Sequence, residues 1–229
     1  MSGIVGSKLN IKGSGLVGSL GTDGQHLLSS GAGKTNVFET AAGGYWNLIK
    51  SITASSSATV DFVDGASDVV FDSTYKHYMM RIIGAHAATD GADFTFNGSS
   101  DTGSNYNVVK MTSVYATYHR EGNSGETGLQ YRDGEDSTLA TAFTNIVTSI
   151  SNAADSATSG DIIFFNPADT TFSKHFYGHF NFMTDNTAPY HKLVTFGGYF
   201  NTTSVVDALQ FKMSSGNIDA GQFDLYGAT

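Results

Sequence analysis

The chain has 229 residues, among them 27 glycines, two prolines and no cysteine, and its formal net charge at pH 7 is −9. Charged residues make up 14% of the sequence, against about 25% in an average soluble domain, which argues against a mostly helical fold and against a long coiled coil. The negative charge argues against nucleic acid as a partner, because phosphate binding needs clustered cations. The absence of cysteine excludes disulfides, thiolate metal sites and a cysteine nucleophile.

The first 44 residues differ in composition from the rest of the chain. They contain eleven glycines and a single aromatic residue, Phe38, so they lack the apolar area that would offset the entropy lost on folding alone. Two interpretations remain open: a flexible leader, or an anchoring arm that becomes ordered against a partner protein or a sibling subunit. We favour the arm, because a pure Gly/Ser linker does not carry spaced aliphatic side chains. The candidate anchoring residues are Ile4, Val5, Leu9, Ile11, Leu16 and Val17.

From Tyr45 onward, short segments with strand-like patterning alternate with Gly- and Asp-rich turns. We assign 121–136 to a loop, while the sequence of 138–150 fits a strand and a short helix equally well. Many short strands and frequent turns predict an all-β fold, with an antiparallel β-sandwich or jelly-roll-like domain over 45–229 that follows the Gly-rich extended arm 1–44. The predicted strands are 45–52, 58–63, 77–86, 92–97, 108–119, 142–150, 160–166, 173–184, 191–201, 204–213 and 221–226.

The segment 173–184 alternates with the period of two that a half-buried antiparallel strand requires. One of its faces carries Phe176, Phe180 and Phe182. The opposite face mixes aromatic and polar side chains and has no full charge at neutral pH. Tyrosine is enriched and full charges are depleted at interface cores, so we predict that this second face is a subunit interface. The candidate interface residues are His175, Tyr177, His179 and Asn181.

The segment 204–213 shows a similar alternation. We expect its buried face to be apolar and to include one carboxylate, Asp207, with Val206 on the opposite face. The apolar residues of the predicted buried face are Val205, Leu209, Phe211 and Met213.

Motifs for metal binding and catalysis are weak. His175 and His179 lie ~13 Å apart on the predicted strand, too far to share one ion within a single chain, although a metal on the axis of a symmetric trimer stays open. Asp-Gly pairs such as Asp64-Gly65 are turn formers and lack the ligand spacing of an EF-hand. The segment 31–35 resembles the end of a phosphate-binding loop, but Leu28 replaces the first glycine of that motif. We predict no catalytic residue, no metal and no cofactor.

Several segments carry a family resemblance. Within the β region these are Tyr75–Met80, Thr89–Phe96, Phe164–Pro167, Ala208–Ile218 and Gly221–Gly227. They are similar to a family of small virion structural proteins of bacteriophages, common in marine phages. The strand, Ser-Gly turn and strand at the end resemble the C-terminal hairpins of phage fibre and receptor-binding heads. The segment 21–33 looks like one found near the base of many phage fibre proteins.

This resemblance implies a non-enzymatic structural protein of a phage virion that is assembled in the host cytoplasm. We expect a short tail fibre, a spike or another receptor-binding appendage, anchored by the arm 1–44. The alternative is a head-surface decoration (cement) protein or head fibre, and a polysaccharide-degrading appendage enzyme is less favoured because no carboxylate pair stands out.

The partners follow from the same resemblance. Phage fibres and spikes are commonly trimeric, so we expect a homotrimer. The other expected partners are further virion proteins and a glycan of the host surface. We expect no nucleic acid, and no membrane insertion, because no run approaches the ~18 consecutive apolar residues of a membrane-spanning helix.

Overall fold

The structure is a computed structural model, and it describes residues 25–28, 37–40, 44–122, 125–184 and 189–229. The chain divides into two compact units, Met1–Gly44 and Tyr45–Thr229. In the first unit, strands β1 (Gln25–Leu28) and β2 (Val37–Thr40) pair antiparallel. The candidate anchoring residues lie outside the described residues: Ile4, Val5, Leu9, Ile11, Leu16 and Val17.

The described part of the second unit consists of antiparallel strands and one short 3-10 helix, Asp133–Glu135. This confirms the predicted all-β antiparallel fold, whereas jelly-roll connectivity stays a prediction. The strands are β3 (Asn47–Ser57), β4 (Val60–Val63), β5 (His77–Ala87), β6 (Ala92–Ser99), β7 (Lys110–Arg120), β8 (Thr127–Tyr131), β9 (Thr138–Ala140), β10 (Thr144–Ile150), β11 (Thr158–Phe165), β12 (Lys174–Met183), β13 (Tyr190–Phe200), β14 (Ala208–Met213) and β15 (Ile218–Ala228).

These strands form two sheets that pack face to face. The large sheet has nine strands in the order β3-β15-β5-β11-β12-β13-β7-β8, and β9 also pairs with β7; the small sheet has the order β10-β6-β14-β4. Phenylalanine rings join the sheets. The Phe96 ring of the small sheet lies 5.3 Å from Phe176 and 6.1 Å from Phe164 of the large sheet, between ring centroids. The result is a β-sandwich with an aromatic core.

The glycines of the large sheet make room for these rings. A Cβ at Gly178 would lie 2.7 Å from the Phe196 ring and 2.8 Å from the carbonyl oxygen of Asp161. At Gly160 it would lie 2.2 Å from the carbonyl oxygen of His179. Real Cβ atoms do not approach other atoms this closely, so the phenylalanine core and part of the high glycine content depend on each other.

Two lysines are buried at inward positions of the large sheet, Lys110 and Lys174. The Lys110 Nζ donates to the Asn97 Oδ1 at 3.0 Å and to the carbonyl oxygen of Ala142. The Lys174 Nζ donates to two backbone carbonyls at 3.1 Å each. Burial lowers the pKa of Lys110 to about 8 and also lowers the pKa of Lys174.

The predicted loop 121–136 is wrong in part, because it contains β8 and the 3-10 helix. β8 lies at the edge of the large sheet and pairs with β7, with Leu129 opposite Thr117. Leu129 is 72% exposed, so this strand lacks the buried alternate residues that reveal a strand in a sequence. The stretch 138–150, for which strand and helix both stood open, contains the strands β9 and β10.

The alternation predicted for 204–213 holds only within β14. Leu209, Phe211 and Met213 are buried as expected, but Val206 is also buried and Val205 is partly exposed. The expected positions of Val205 and Val206 are therefore wrong. Both residues lie before the start of β14, and the N–H of Val206 donates to the carbonyl of Pro167 at 2.9 Å and not to a neighbouring strand.

The last two strands do not form the hairpin that the family resemblance implied. β14 lies in the small sheet between β6 and β4, and β15 lies in the large sheet between β5 and β3. Both edges of each strand are thus occupied by other partners. The turn 214–217 crosses from one sheet to the other, and Gly216 adopts a φ of +68° within it, a conformation that favours glycine.

Candidate functional site

The large sheet has an inner face, which packs on the small sheet, and an outer face on the opposite side. β12 lies in the middle of this sheet and alternates strictly along its length. Phe176, Phe180 and Phe182 are buried on the inner face. This confirms the two faces predicted for 173–184, whereas the role of the outer face as a subunit interface stays a prediction. Exposed on the outer face of β12 are His175, Tyr177, His179 and Asn181.

Strand pairing extends this surface across the sheet. His179 is paired with Asp161 of β11 on one side and with Thr195 of β13 on the other. Thr195 is paired with Tyr115 of β7, which in turn is paired with Tyr131 of β8. Directly paired residues of neighbouring strands point to the same side of a sheet. The outer face is therefore one surface built from distant parts of the sequence.

Large apolar side chains that stay exposed concentrate on this outer face. Tyr177 is 45% exposed, Tyr115 is 49% exposed and Tyr131 is 59% exposed. Exposed apolar patches of this kind mark sites of interaction. The exposed apolar residues of the outer face are Leu48, Ile83, Met111, Tyr115, Leu129, Tyr131 and Tyr177.

Aromatic rings on the outer face contact one another across four strands. The Phe165 ring lies 5.4 Å from His77 and stacks on Tyr177 at 5.9 Å, between centroids. The His175 ring lies 5.8 Å from Tyr199. These contacts hold the rings in place, so a partner can bind them with little loss of side-chain entropy.

Few charged side chains lie on the central part of the outer face, which is formed by the strands from β15 to β13 in the sheet order. In the described residues they are Arg81, Asp161 and Asp224. The Arg81 Nε donates to the Asp161 Oδ1 at 2.9 Å and its Nη2 donates to the Oδ2 at 3.1 Å, and this pairing raises the pKa of Arg81. Asp224 is only 4% exposed, and both its oxygens accept from the Gln222 Nε2. The central surface is thus nearly neutral, although the chain carries −9.

Two depressions flank Asn181 on this surface. One has a volume of about 290 Å³ and lies beside the Arg81–Asp161 pair, and the other has a volume of about 660 Å³ and lies beside His119 and His191. Ser159 and Asn181 line both of them. Both depressions thus combine neutral hydrogen-bonding side chains with charged ones.

The aspartates of the predicted turns bind backbone N–H groups. The Asp64 Oδ1 accepts from the N–H of Phe71 at 2.8 Å, and the Asp72 Oδ1 accepts from the N–H of Thr74 at 2.7 Å. The bond from Thr74 lowers the pKa of Asp72. Within the described ranges, no group of three His, Asp or Glu residues is arranged to hold a metal ion, and no helix is long and apolar enough to cross a bilayer.

Sequence reasoning found β12 but missed most of the outer face. Tyr115 belongs to the outward set of β7, and its period-two alternation with the buried Val114 and Ala116 is visible in the sequence. By contrast, the Arg81–Asp161 pair joins residues 80 positions apart, for which no local pattern exists.

Comparisons of the chain with protein-family models, with curated proteins and with solved structures gave no match.

Proposed function

We propose that this chain is a non-enzymatic structural protein of a bacteriophage virion, and that it forms a short fibre or receptor-binding appendage. The arm 1–44 anchors the protein to other virion proteins, and the domain 45–229 projects from the particle. The family resemblance supports the virion role. Fibres and spikes of phages are commonly trimeric, which supports three copies per appendage and a closed cyclic arrangement.

One observation carries the assembly part of this proposal: the outer face of the large sheet exposes aromatic and aliphatic side chains around a nearly neutral centre. A chain with a net charge of −9 repels its own copies over most of its surface. The central outer face lacks this excess of negative charge, because Arg81 and Asp161 neutralise each other. It is the surface through which copies meet at the smallest electrostatic cost, with Tyr177 and Tyr115 as anchors.

The receptor in this proposal is a glycan of the host surface. The larger depression beside Asn181 has a volume of about 660 Å³, which falls within the range of small-ligand sites of about 300–1,000 Å³. Its lining offers the hydrogen-bonding groups of His119, His191 and Ser159, and charged side chains at its rim add further donors and acceptors for the hydroxyl groups of a glycan. Glycan-array binding of the purified chain tests this part, with Asn181→Leu expected to lose binding. Because Asn181 also belongs to the predicted contact between copies, the mass of this variant by light scattering separates lost binding from lost assembly.

Electron microscopy of phage particles labelled with antibodies against 45–229 tests the proposed position. We expect label on the tail or on a fibre. Label confined to the capsid surface would replace the appendage role by that of a decoration protein or head fibre, and absence of the chain from purified particles would contradict the virion role altogether.

A further inference from the structure

We propose that histidine protonation on the outer face controls the assembly of copies, so that the contact holds while the imidazoles are neutral and is lost in mild acid. This inference depends on the proposed function, in which the outer face is the contact between copies. It adds a regulation of that contact and a specific group of residues that performs it.

The histidines of this chain are concentrated on one surface. The chain has seven histidines; His26 lies in β1, and His86 lies near the end of β5, where its Nδ1 is 3.5 Å from the Asp219 Oδ2. The others occupy outward positions of β5, β7, β12 and β13. Histidine is the side chain that most readily changes its charge between about pH 5 and 8. The histidines of the outer face are His77, His119, His175, His179 and His191.

The surroundings of His179 offer no free counter-charge for an imidazolium. Asp161 of β11 is its paired neighbour, but both oxygens of that carboxylate accept from Arg81 of β5. Asp224 of β15 lies beyond Arg81 and is almost fully buried. On the other side, β13 presents a threonine and β7 presents Tyr115. Protonation of His179 therefore adds a positive charge next to the existing guanidinium.

The surroundings of His175 are aromatic. Its ring lies 5.8 Å from Tyr199 of β13, and Tyr177 is the next outward residue of its own strand. From β11 the outward residue at this level is Phe165, which also contacts His77. The carboxylate of the β11–β12 loop, Asp169, accepts from two backbone N–H groups of its own loop. Within the described residues His175 has no ion-pair partner, so a positive charge on it depends on water while the face is uncovered.

At the opposite end of the outer face, His119 and His191 are directly paired on β7 and β13. Like charges at directly paired positions of a sheet repel each other. The ionised side chains near them are Arg120, which pairs with Glu126 at 2.8 Å, and Glu121 and Asp155 at the rim of the larger depression. The charges of Glu121 and Asp155 offset those of two imidazoliums, so this end of the face stays near neutral in acid and the unbalanced positive charge arises at β12.

A partner copy that covers the outer face removes the water on which a charged imidazole depends. Burial disfavours the charged form of histidine, and an unpaired charge inside an interface opposes binding. The overall charge has the opposite effect, because acidification reduces the net charge of −9 and so weakens the general repulsion between copies. Dissociation in mild acid would therefore indicate protonation of the histidines on this face, because the change in net charge alone favours association.

Light scattering of the full-length chain at micromolar concentration, at about pH 7.5 and about pH 5.5, tests the proposal. We expect the mass of three chains at the higher pH and of one chain at the lower pH, with an unchanged circular dichroism spectrum and full reversal on neutralisation. The double variant His175→Gln/His179→Gln should keep the three-chain mass at both values. The control His86→Gln should dissociate like the unaltered protein.

The outcomes separate this inference from the function on which it depends. A three-chain mass at both pH values would overturn the histidine control and leave the assembly intact. A one-chain mass at both values would overturn the contact between copies itself. Dissociation of the double variant in acid, with the same midpoint as the unaltered chain, would show that the histidines of β12 do not control the contact.

Discussion

Substitution of the buried Lys110 should change how the stability of the protein depends on pH. Its Nζ lies at an inward position of β7 and binds the Asn97 side chain and a backbone carbonyl, and burial lowers its pKa from the usual 10.5 to about 8. In the unfolded chain, Lys110 keeps its proton up to about pH 10.5. Between about pH 8 and 10.5 the unfolded state therefore binds more protons, so the unaltered protein gains stability as the pH rises through this window.

The size of this gain follows from the shift in pKa. One pKa unit corresponds to about 1.4 kcal/mol, so the fall from 10.5 to about 8 amounts to about 3 kcal/mol of native-state stability. This penalty is fully present below pH 8 and is absent above pH 10.5. The variant Lys110→Met has no titrating group at this position and lacks this particular dependence on pH.

Urea unfolding of the unaltered chain and of Lys110→Met, at several pH values from about 7 to about 10.5, measures the difference. All other titrating groups are shared, so their contribution cancels when the two free energies of unfolding are subtracted. We expect the unaltered chain to gain about 3 kcal/mol relative to the variant across this range. A constant offset, whatever its sign, reflects the lost hydrogen bonds of Asn97 and the changed packing. Parallel curves for the two proteins would refute the reasoning.

Three further predictions concern packing, domain structure and metal content. Gly178→Ala should lower the free energy of unfolding by about 1–3 kcal/mol, because the new Cβ would lie 2.7 Å from the Phe196 ring. The control Gly197→Ala should change it little, because the nearest atoms to its Cβ are 3.7 Å away. Equal losses in both variants would contradict this account of the core. The fragment 45–229 should unfold cooperatively but fail to dock on particles that lack the protein; aggregation, or normal docking, would refute the role of the arm. EDTA should leave the melting temperature unchanged, and a fall reversed by Ca²⁺ would reveal a metal site.

The sequence predicted the strands of the sandwich well where one face of a strand is buried and the other is exposed to solvent. β12 is the best case, since every second residue of the strand is buried and, after Lys174, these buried residues are phenylalanine or glycine. The same rule fails at β8, because an edge strand with Leu129 and Tyr131 exposed leaves no apolar alternation to read. It also fails before β14, where the buried Val206 lies outside the strand and its N–H bonds to the carbonyl of Pro167.

The candidate site was predictable only along a single strand. His175, Tyr177, His179 and Asn181 follow from the alternation of β12, because side-chain direction is a local property of a strand. Their neighbours on adjacent strands depend on the order of the strands in the sheet. That order is decided by pairing between segments far apart in the sequence, which no local pattern reveals. Lys110 shows a related limit. The alternation of β7 places it inward, but lysine is almost never fully buried, so the residue type argues against the position that the alternation predicts.

Contact between copies through the outer face is measured most directly by light scattering of the full-length chain near neutral pH at micromolar concentration. The proposed assembly predicts the mass of three chains. It predicts that His179→Asp lowers this mass to that of one chain, because the new carboxylate, beside Asp161, brings an unpaired negative charge into the contact between copies. Thr203→Asp, which adds the same charge at an exposed loop position, should keep the three-chain mass. A one-chain mass for the unaltered protein, or a three-chain mass for His179→Asp, would contradict it.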